Sequence, residues 1–285
     1  MKDSIFKIEE GVFFMRHTDL DRNLPILLFI HGLGESGLCF KEAFESPDMR
    51  NFTLIVPDML GYGRSTEASD CDYCMNAQIR RLWKLVNGLG RESFFIIGHS
   101  LGGDLGSLMI ASDTQQRIQG LVNIEGDLTP NDIFISNKIV SASKDEDFLK
   151  WFETKFKEEL VLNGWGNKWA SCRRYYASLQ FARPDAVLSN AREIYQKSQP
   201  LPDRKVSLSG LTYAGLKIPK VFCWGSESLS NETLGFLEAF SLEHRKFEPA
   251  FHWPMIDQPQ QFYPFLANYI NTSIKGLISG VIKDG

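Results

Sequence analysis

The chain has 285 residues, of which 43% are hydrophobic and 23% charged, and its formal net charge is −4. That composition excludes a wholly disordered chain, and the mild acidity offers none of the basic field that nucleic-acid binding requires. No apolar run approaches the roughly 18 residues of a membrane span, and residues 1–10 have no apolar signal-peptide region, so a cytoplasmic protein is expected.

In chain order, Phe6–Phe14 reads as one or two strands. Pro25–Ile30 is continuously apolar and runs into the turn His31-Gly32. Leu38–Phe44 is a short helix candidate, and Phe52–Val56 is a second buried strand stopped by Pro57-Asp58. Apolar residues at Ile79, Leu82, Trp83, Val86 and Leu89 give residues 77–89 a helical period. Ser93–Ile97 and Gly120–Ile124 are further buried strands, with a helix over Leu101–Ala111 between them. Continuous apolar strands alternating with helices predict a parallel sheet covered on both faces. From Leu128 to Leu211 no buried strand is evident, and Phe148–Leu160, Trp165–Leu179 and Pro184–Tyr195 read as helices. The strand rhythm resumes at Ile218–Trp224. A helix over Asn231–Phe240, a strand at His244–Phe247 and a last helix over Gln258–Ile270 follow, with weak patterning after Asn271.

The five cysteines are odd in number and scattered, which argues against a disulfide framework. Cys71 and Cys74 form one C-x-x-C without a second ligand pair nearby, so they read as free thiols and no metal is expected.

Gly98-His99-Ser100-Leu101-Gly102 is a G-x-S-x-G that leaves an apolar strand and enters a helix, the setting of a nucleophile elbow. Ser100 is the candidate nucleophile. The Leu33 and Leu101 N–H groups are the candidate oxyanion donors, Leu33 lying in the turn His31-Gly32-Leu33-Gly34. Among the histidines only His252 follows the last strand, where a loop can return to Ser100, so it is the candidate general base. His99 is expected to pack under the sheet, and Glu35 to be either a substrate contact or a solvated loop charge.

These segments, together with Pro57-Asp58-Met59-Leu60-Gly61-Tyr62-Gly63-Arg64-Ser65 and His252-Trp253-Pro254, resemble the α/β-hydrolase superfamily over nearly the whole chain. The resemblance implies a mostly parallel sheet of about eight strands flanked by helices. It also implies a core over residues 1–127 and 212–285 and a helical cap over 128–211. Epoxide hydrolases and haloalkane dehalogenases of this fold place Asp in the elbow; Ser100 stands here, which speaks against their chemistry. Asp58 is expected to tie the loop 61–65 to the elbow.

The chain departs from the pattern at the third member of the triad. Many relatives supply an Asp three residues past the Gly that ends the seventh strand. Here Trp224-Gly225-Ser226-Glu227-Ser228 puts Ser228 in that place. Glu125, at the end of the sixth strand, is the preferred acid, with Glu227 as the alternative and Asp127 as a third choice.

The expected function is a serine hydrolase that cleaves a small to medium carboxylic ester through an acyl-enzyme and needs no cofactor. A C–C bond hydrolase, lactonase, thioesterase or acyltransferase, or a slow-turnover ligand receptor of the same fold, are the alternatives. Gly32, Trp165, Trp169, Tyr175 and Tyr176 are candidate substrate contacts. A small-molecule substrate and a monomer or homodimer are expected.

Overall fold

The computed structural model describes residues 1–20, 24–145, 147–202 and 206–283. The expected core and cap spans also take in residues 21–23, 146, 203–205 and 284–285, which lie outside the described ones. Eight strands form one sheet in the order β1-β2-β4-β3-β5-β6-β7-β8. They are β1 (Lys2–Ile8), β2 (Gly11–His17), β3 (Ile26–Ile30), β4 (Thr53–Pro57), β5 (Phe94–His99), β6 (Ile118–Ile124), β7 (Lys220–Gly225) and β8 (His244–Phe247). β1 and β2 are an antiparallel hairpin and β2 pairs antiparallel with β4, so the expected Phe6–Phe14 segment is two strands with a turn between them. From β4 onward every pairing is parallel.

The parallel strands are buried because their sequences are apolar on both faces. Phe94–His99 and Thr53–Pro57 are buried at every position. Each fully buried Leu, Ile or Phe contributes about 1.5–3 kcal/mol. Parallel pairing requires crossovers, and these carry helices. Helix α1 (Met75–Gly88) begins where the Cys74 Sγ accepts the Ala77 N–H, and α2 (Leu101–Ala111) follows β5 directly. All five cysteines are free thiols.

Between β6 and β7 the chain is helical. It comprises α3 (Phe134–Asp145) and then α4 (Phe148–Trp151), which continues in wide π-type turns over Phe152–Trp165 into α5 (Gly166–Lys168). Helices α6 (Ala170–Leu179), α7 (Pro184–Ser198) and α8 (Leu208–Gly215) follow. Helices α3 and α8 have no counterpart among the expected elements. Two glycines in α8 weaken its propensity. Its start is held because Ser207 Oγ accepts the Gly210 N–H at 2.9 Å, and Tyr213 is buried against the core.

After β7 come α9 (Asn231–Ala239), α10 (Pro254–Asp257) and α11 (Pro259–Lys283). Helix α11 continues well past Asn271, where the pattern weakens; Phe262, Leu266 and Ile270 anchor its first half in the core. Among the described residues no helix is long and apolar enough to cross a membrane.

Candidate active site

Ser100 sits at the turn between β5 and α2 with φ 50° and ψ −122°. Such a left-handed, strained backbone in a non-glycine residue is held only when its surroundings over-determine it. Here the Ser100 N–H donates to Ile124 O at 2.8 Å, and Ser100 O accepts from Gly103 N at 2.7 Å. The flanking glycines are required by close approach. A Cβ on Gly102 would come within 2.0 Å of Ile30 O, and one on Gly98 within 2.3 Å of Gly102 O. As the first residue of α2, Leu101 has an N–H without a partner in its own helix.

His252 follows β8 and is buried. Its Nδ1 faces Glu125 Oε2 at 3.3 Å. Glu125 also has a left-handed backbone, φ 55°, just beyond β6. Its N–H still pairs with Cys223 O at 3.0 Å, and the chain then turns so that the side chain reaches the end of β7. There Glu125 Oε1 accepts the Gly225 N–H at 2.6 Å and the Ser228 hydroxyl at 2.5 Å. Ser228, standing where many relatives are expected to carry the acid, is therefore a donor to the carboxylate at the neighbouring strand end. Glu227 lies at the surface, with its carboxylate 3.2 Å from Lys168 Nζ.

Ser100 and His252 line one pocket, together with Leu33, Asp127, Asp132 and Ile133–Ser136. Its free volume is about 10 Å³, space for about one water molecule. The start of α3 closes it: the Phe134 ring stands edge-on to His252, with centroids 5.4 Å apart. Trp165, Trp169, Tyr175 and Tyr176 are not among the residues lining it. Trp165 packs edge-on against Phe134, Trp169 stacks on Phe251, Tyr175 lies against Trp253, and Tyr176 donates to Glu158. The aromatic signal in the helical block thus marks the packing of helices on one another and on the His252 loop. Gly32, by contrast, lies against the nucleophile; a Cβ there would be 3.1 Å from Ser100 Cβ.

Asp127 joins a buried acidic group. Its N–H donates to Asp104 Oδ1 at 3.1 Å. Burial, and then the neighbouring Asp127, push the Asp104 carboxyl well up, and burial raises Asp127 to about 6. Asp132 is raised by burial to about 7; it accepts the Leu128 and Thr129 N–H groups at 3.0 and 2.8 Å.

Three placements differ from expectation. Glu35 is not a solvated loop charge: it is 2% exposed, lies among the residues lining the Ser100 pocket, and accepts hydrogen bonds from Gly32, His99 and Trp253. His99 does not simply pack under the sheet but reaches between Glu35 and the carbonyl of His252. Asp58 binds Arg16, the Gly37 N–H and the Arg64 N–H, so it ties the loop 61–65 to β2 and to the turn after β3 and makes no bond to the elbow. The acidity of Glu35 and its position three residues after Gly32 were the only sequence signals of its role. Asp132 and Phe134 carried none, because no strand or turn motif marks the segment that brings them over Ser100.

The family model described as the alpha/beta hydrolase fold matches residues 25–259. The chain belongs to the alpha/beta hydrolase family. The magnesium-chelatase 30 kDa subunit of Rhodobacter capsulatus is 37% identical over 90 residues, covering 32% of this chain and 31% of that protein. Lipase 3 of a Moraxella species is 33% identical over 96 residues, covering 33% and 30%. The chain thus matches about a third of the length of each of these two relatives. The solved structure of the N-acyl homoserine lactonase AidH with N-butanoyl homoserine superposes with a TM-score of 0.74 at 19% identity, covering 96% of this chain and 97% of that one, a likeness of fold. The alpha/beta hydrolase fold is the level at which these similarities agree.

Proposed function

We propose that this hydrolase is a serine hydrolase of small to medium carboxylic esters or related acyl compounds, with Ser100, His252 and Glu125 as its triad. The observation that carries the reading is the His252 ring. Its Nδ1 is committed to Glu125 Oε2 at 3.3 Å, and it shares a pocket with Ser100, which leaves Nε2 as the nitrogen to take the serine proton. Ser100 Oγ attacks the acyl carbonyl carbon while His252 accepts its proton. The negative oxygen that results is received by the Leu33 and Leu101 N–H groups, aided by the positive end of α2. His252 returns the proton to the leaving group, and an acyl-enzyme forms. The imidazole then activates a water that releases the acid. Glu125 holds the ring and offsets its charge in each step, and the Gly225 and Ser228 donors fix the carboxylate.

The helical block over 128–211 acts as a cap in this reading. A pocket of about 10 Å³ does not hold an ester, so Ile133–Ser136 must move to admit one. A lactone is a cyclic ester and fits the same chemistry; the likeness to a lactonase structure motivates including lactones among the substrates tested.

The test combines a fluorophosphonate probe with a series of nitrophenyl esters and simple lactones. Wild-type protein is expected to be labelled at Ser100 and to turn the esters over, and Ser100→Ala to do neither while keeping its circular dichroism spectrum. Equal turnover by the variant would overturn the mechanism, and tight binding of a small apolar ligand without turnover would favour a receptor.

A further inference from the structure

Two histidines beside the site have opposite hydrogen-bond surroundings. His31 Nδ1 faces Gly32 O at 2.9 Å, while its Nε2 accepts the Met59 N–H at 3.0 Å. One nitrogen needs a proton and the other must lack one, so this ring is neutral. His99 Nδ1 faces Glu35 Oε2 at 2.8 Å, and its Nε2 faces the backbone carbonyl oxygen of His252, also at 2.8 Å. Both partners are acceptors, so both nitrogens of this buried ring must carry protons.

We propose that Glu35 and His99 form a charged carboxylate–imidazolium pair that positions the nucleophile, oxyanion and base loops together and keeps a positive charge beside His252. The pair touches each loop by a directional bond. Glu35 Oε2 accepts the Gly32 N–H at 2.6 Å, in the turn that presents Leu33. Glu35 Oε1 accepts the indole N–H of Trp253, the residue after the base. His99 is the residue before Ser100, and through Nε2 it holds the His252 backbone. A Cβ on Gly32 would come within 2.8 Å of Glu35 Oε2 and 2.9 Å of His99 Nδ1, so a side chain there would push the pair apart.

The charged groups around the pair agree with it. Burial would raise the Glu35 carboxyl, but the His99 charge and the hydrogen bonds from His99 and Trp253 bring it down to about 2. Burial would lower His99, but Glu35 and, more weakly, Glu125 raise it. His31 lies on the Glu35 side, where burial lowers it, and the buried Cys39 thiol is raised by burial and by Glu35. Asp127 and Glu125 face His252 from the end of β6. The His99 and His252 rings are edge-on with centroids 4.9 Å apart, so the pair sits directly beside the base. The His99 cation favours the negative oxygen formed next to it on the acyl group.

His99 and Glu35 are positioning residues in this account, which rests on the serine-hydrolase reading for its kinetic part alone. The test therefore begins without catalysis. In ¹⁵N-histidine-labelled protein, the His99 ring signals, assigned by their loss in His99→Gln, are expected to show both nitrogens protonated at pH 8, and the His31 signals only one. A singly protonated His99 in folded protein overturns the proposal whatever the enzyme does.

The kinetic part uses Glu35→Gln, whose amide oxygen can take the place of Oε2 as acceptor for the Gly32 N–H without the negative charge, and the uncharged double variant Glu35→Gln/His99→Gln. Both are expected to lose about 10- to 100-fold in kcat with little change in KM. Wild-type kcat in a folded variant, or a loss that falls on KM instead, overturns the positioning role. Absence of Ser100 labelling in wild-type protein would instead remove the serine-hydrolase reading and leave the charged pair standing.

Discussion

The strand-end loops and the helices above them are held together in different ways. At the strand ends the polar side chains are bound by directional contacts. Glu125 receives the Gly225 N–H and the Ser228 hydroxyl, and Glu35 receives groups from three separate loops. Over the same pocket, the start of α3 rests on His252 through ring faces and edges, with Phe134 in contact with Trp165, Phe251 and His252. Hydrogen bonds to charged groups lose their value over a few tenths of an ångström, whereas aromatic contacts tolerate sliding. The lower layer fixes geometry by hydrogen bonds, and the contact of α3 with His252 is aromatic.

The largest effect should come from breaking the lower layer at its acid. Glu125→Gln should lower kcat by about 10⁴-fold, as loss of a triad acid does elsewhere, while Glu227→Gln should stay within about twofold because its surface pair is weak. Steady-state kinetics on one nitrophenyl ester decides, and equal small losses would remove Glu125 from the triad.

Next comes the donor to that acid. Ser228→Ala should cost about tenfold in kcat, the value of one hydrogen bond to a charged group. Unchanged kcat would mean that the Gly225 N–H alone suffices to orient the carboxylate.

The upper layer should respond with the opposite sign. Phe134→Ala should raise kcat/KM for long acyl esters over acetate by about 3- to 10-fold, since it removes the ring that closes the pocket. An unaltered chain-length profile would show that access does not pass α3.

The smallest effect concerns stability. The Asp104 carboxyl is raised above its ordinary 3.8, so its contribution to stability is present below that value and is lost as pH rises through the folded value. Asp104→Asn stays neutral throughout. Its melting temperature should therefore match wild type near pH 3 and exceed it at pH 8 by about 2–4 °C, equivalent to about 1 kcal/mol. A gain that is the same at both values would contradict a buried charge penalty at this site.

Much of the lower layer is legible in the residues themselves. The apolar runs that become β3–β7 and the glycines around Ser100 are local signals, and so is the lone histidine after the last strand. The role of Glu35 was not legible, because an acidic residue in a glycine turn reads as solvated until the turn is buried under Trp253. The helical block was read only coarsely. Helix α8 forms against its own propensity, and the four aromatic residues named as candidate substrate contacts pack on the helices and the His252 loop beside the closed pocket.

By itself, the order of residues determined the strand–helix alternation, the tight turn that displays Ser100 and the family to which the chain belongs, because periodicity and close-approach glycines act over a few neighbouring positions. Only the tertiary structure decided which carboxylate faces His252 and that His99 lies between two acceptors. Those outcomes depend on the left-handed backbone at Glu125 and on loops more than a hundred residues apart meeting at the ends of adjacent strands.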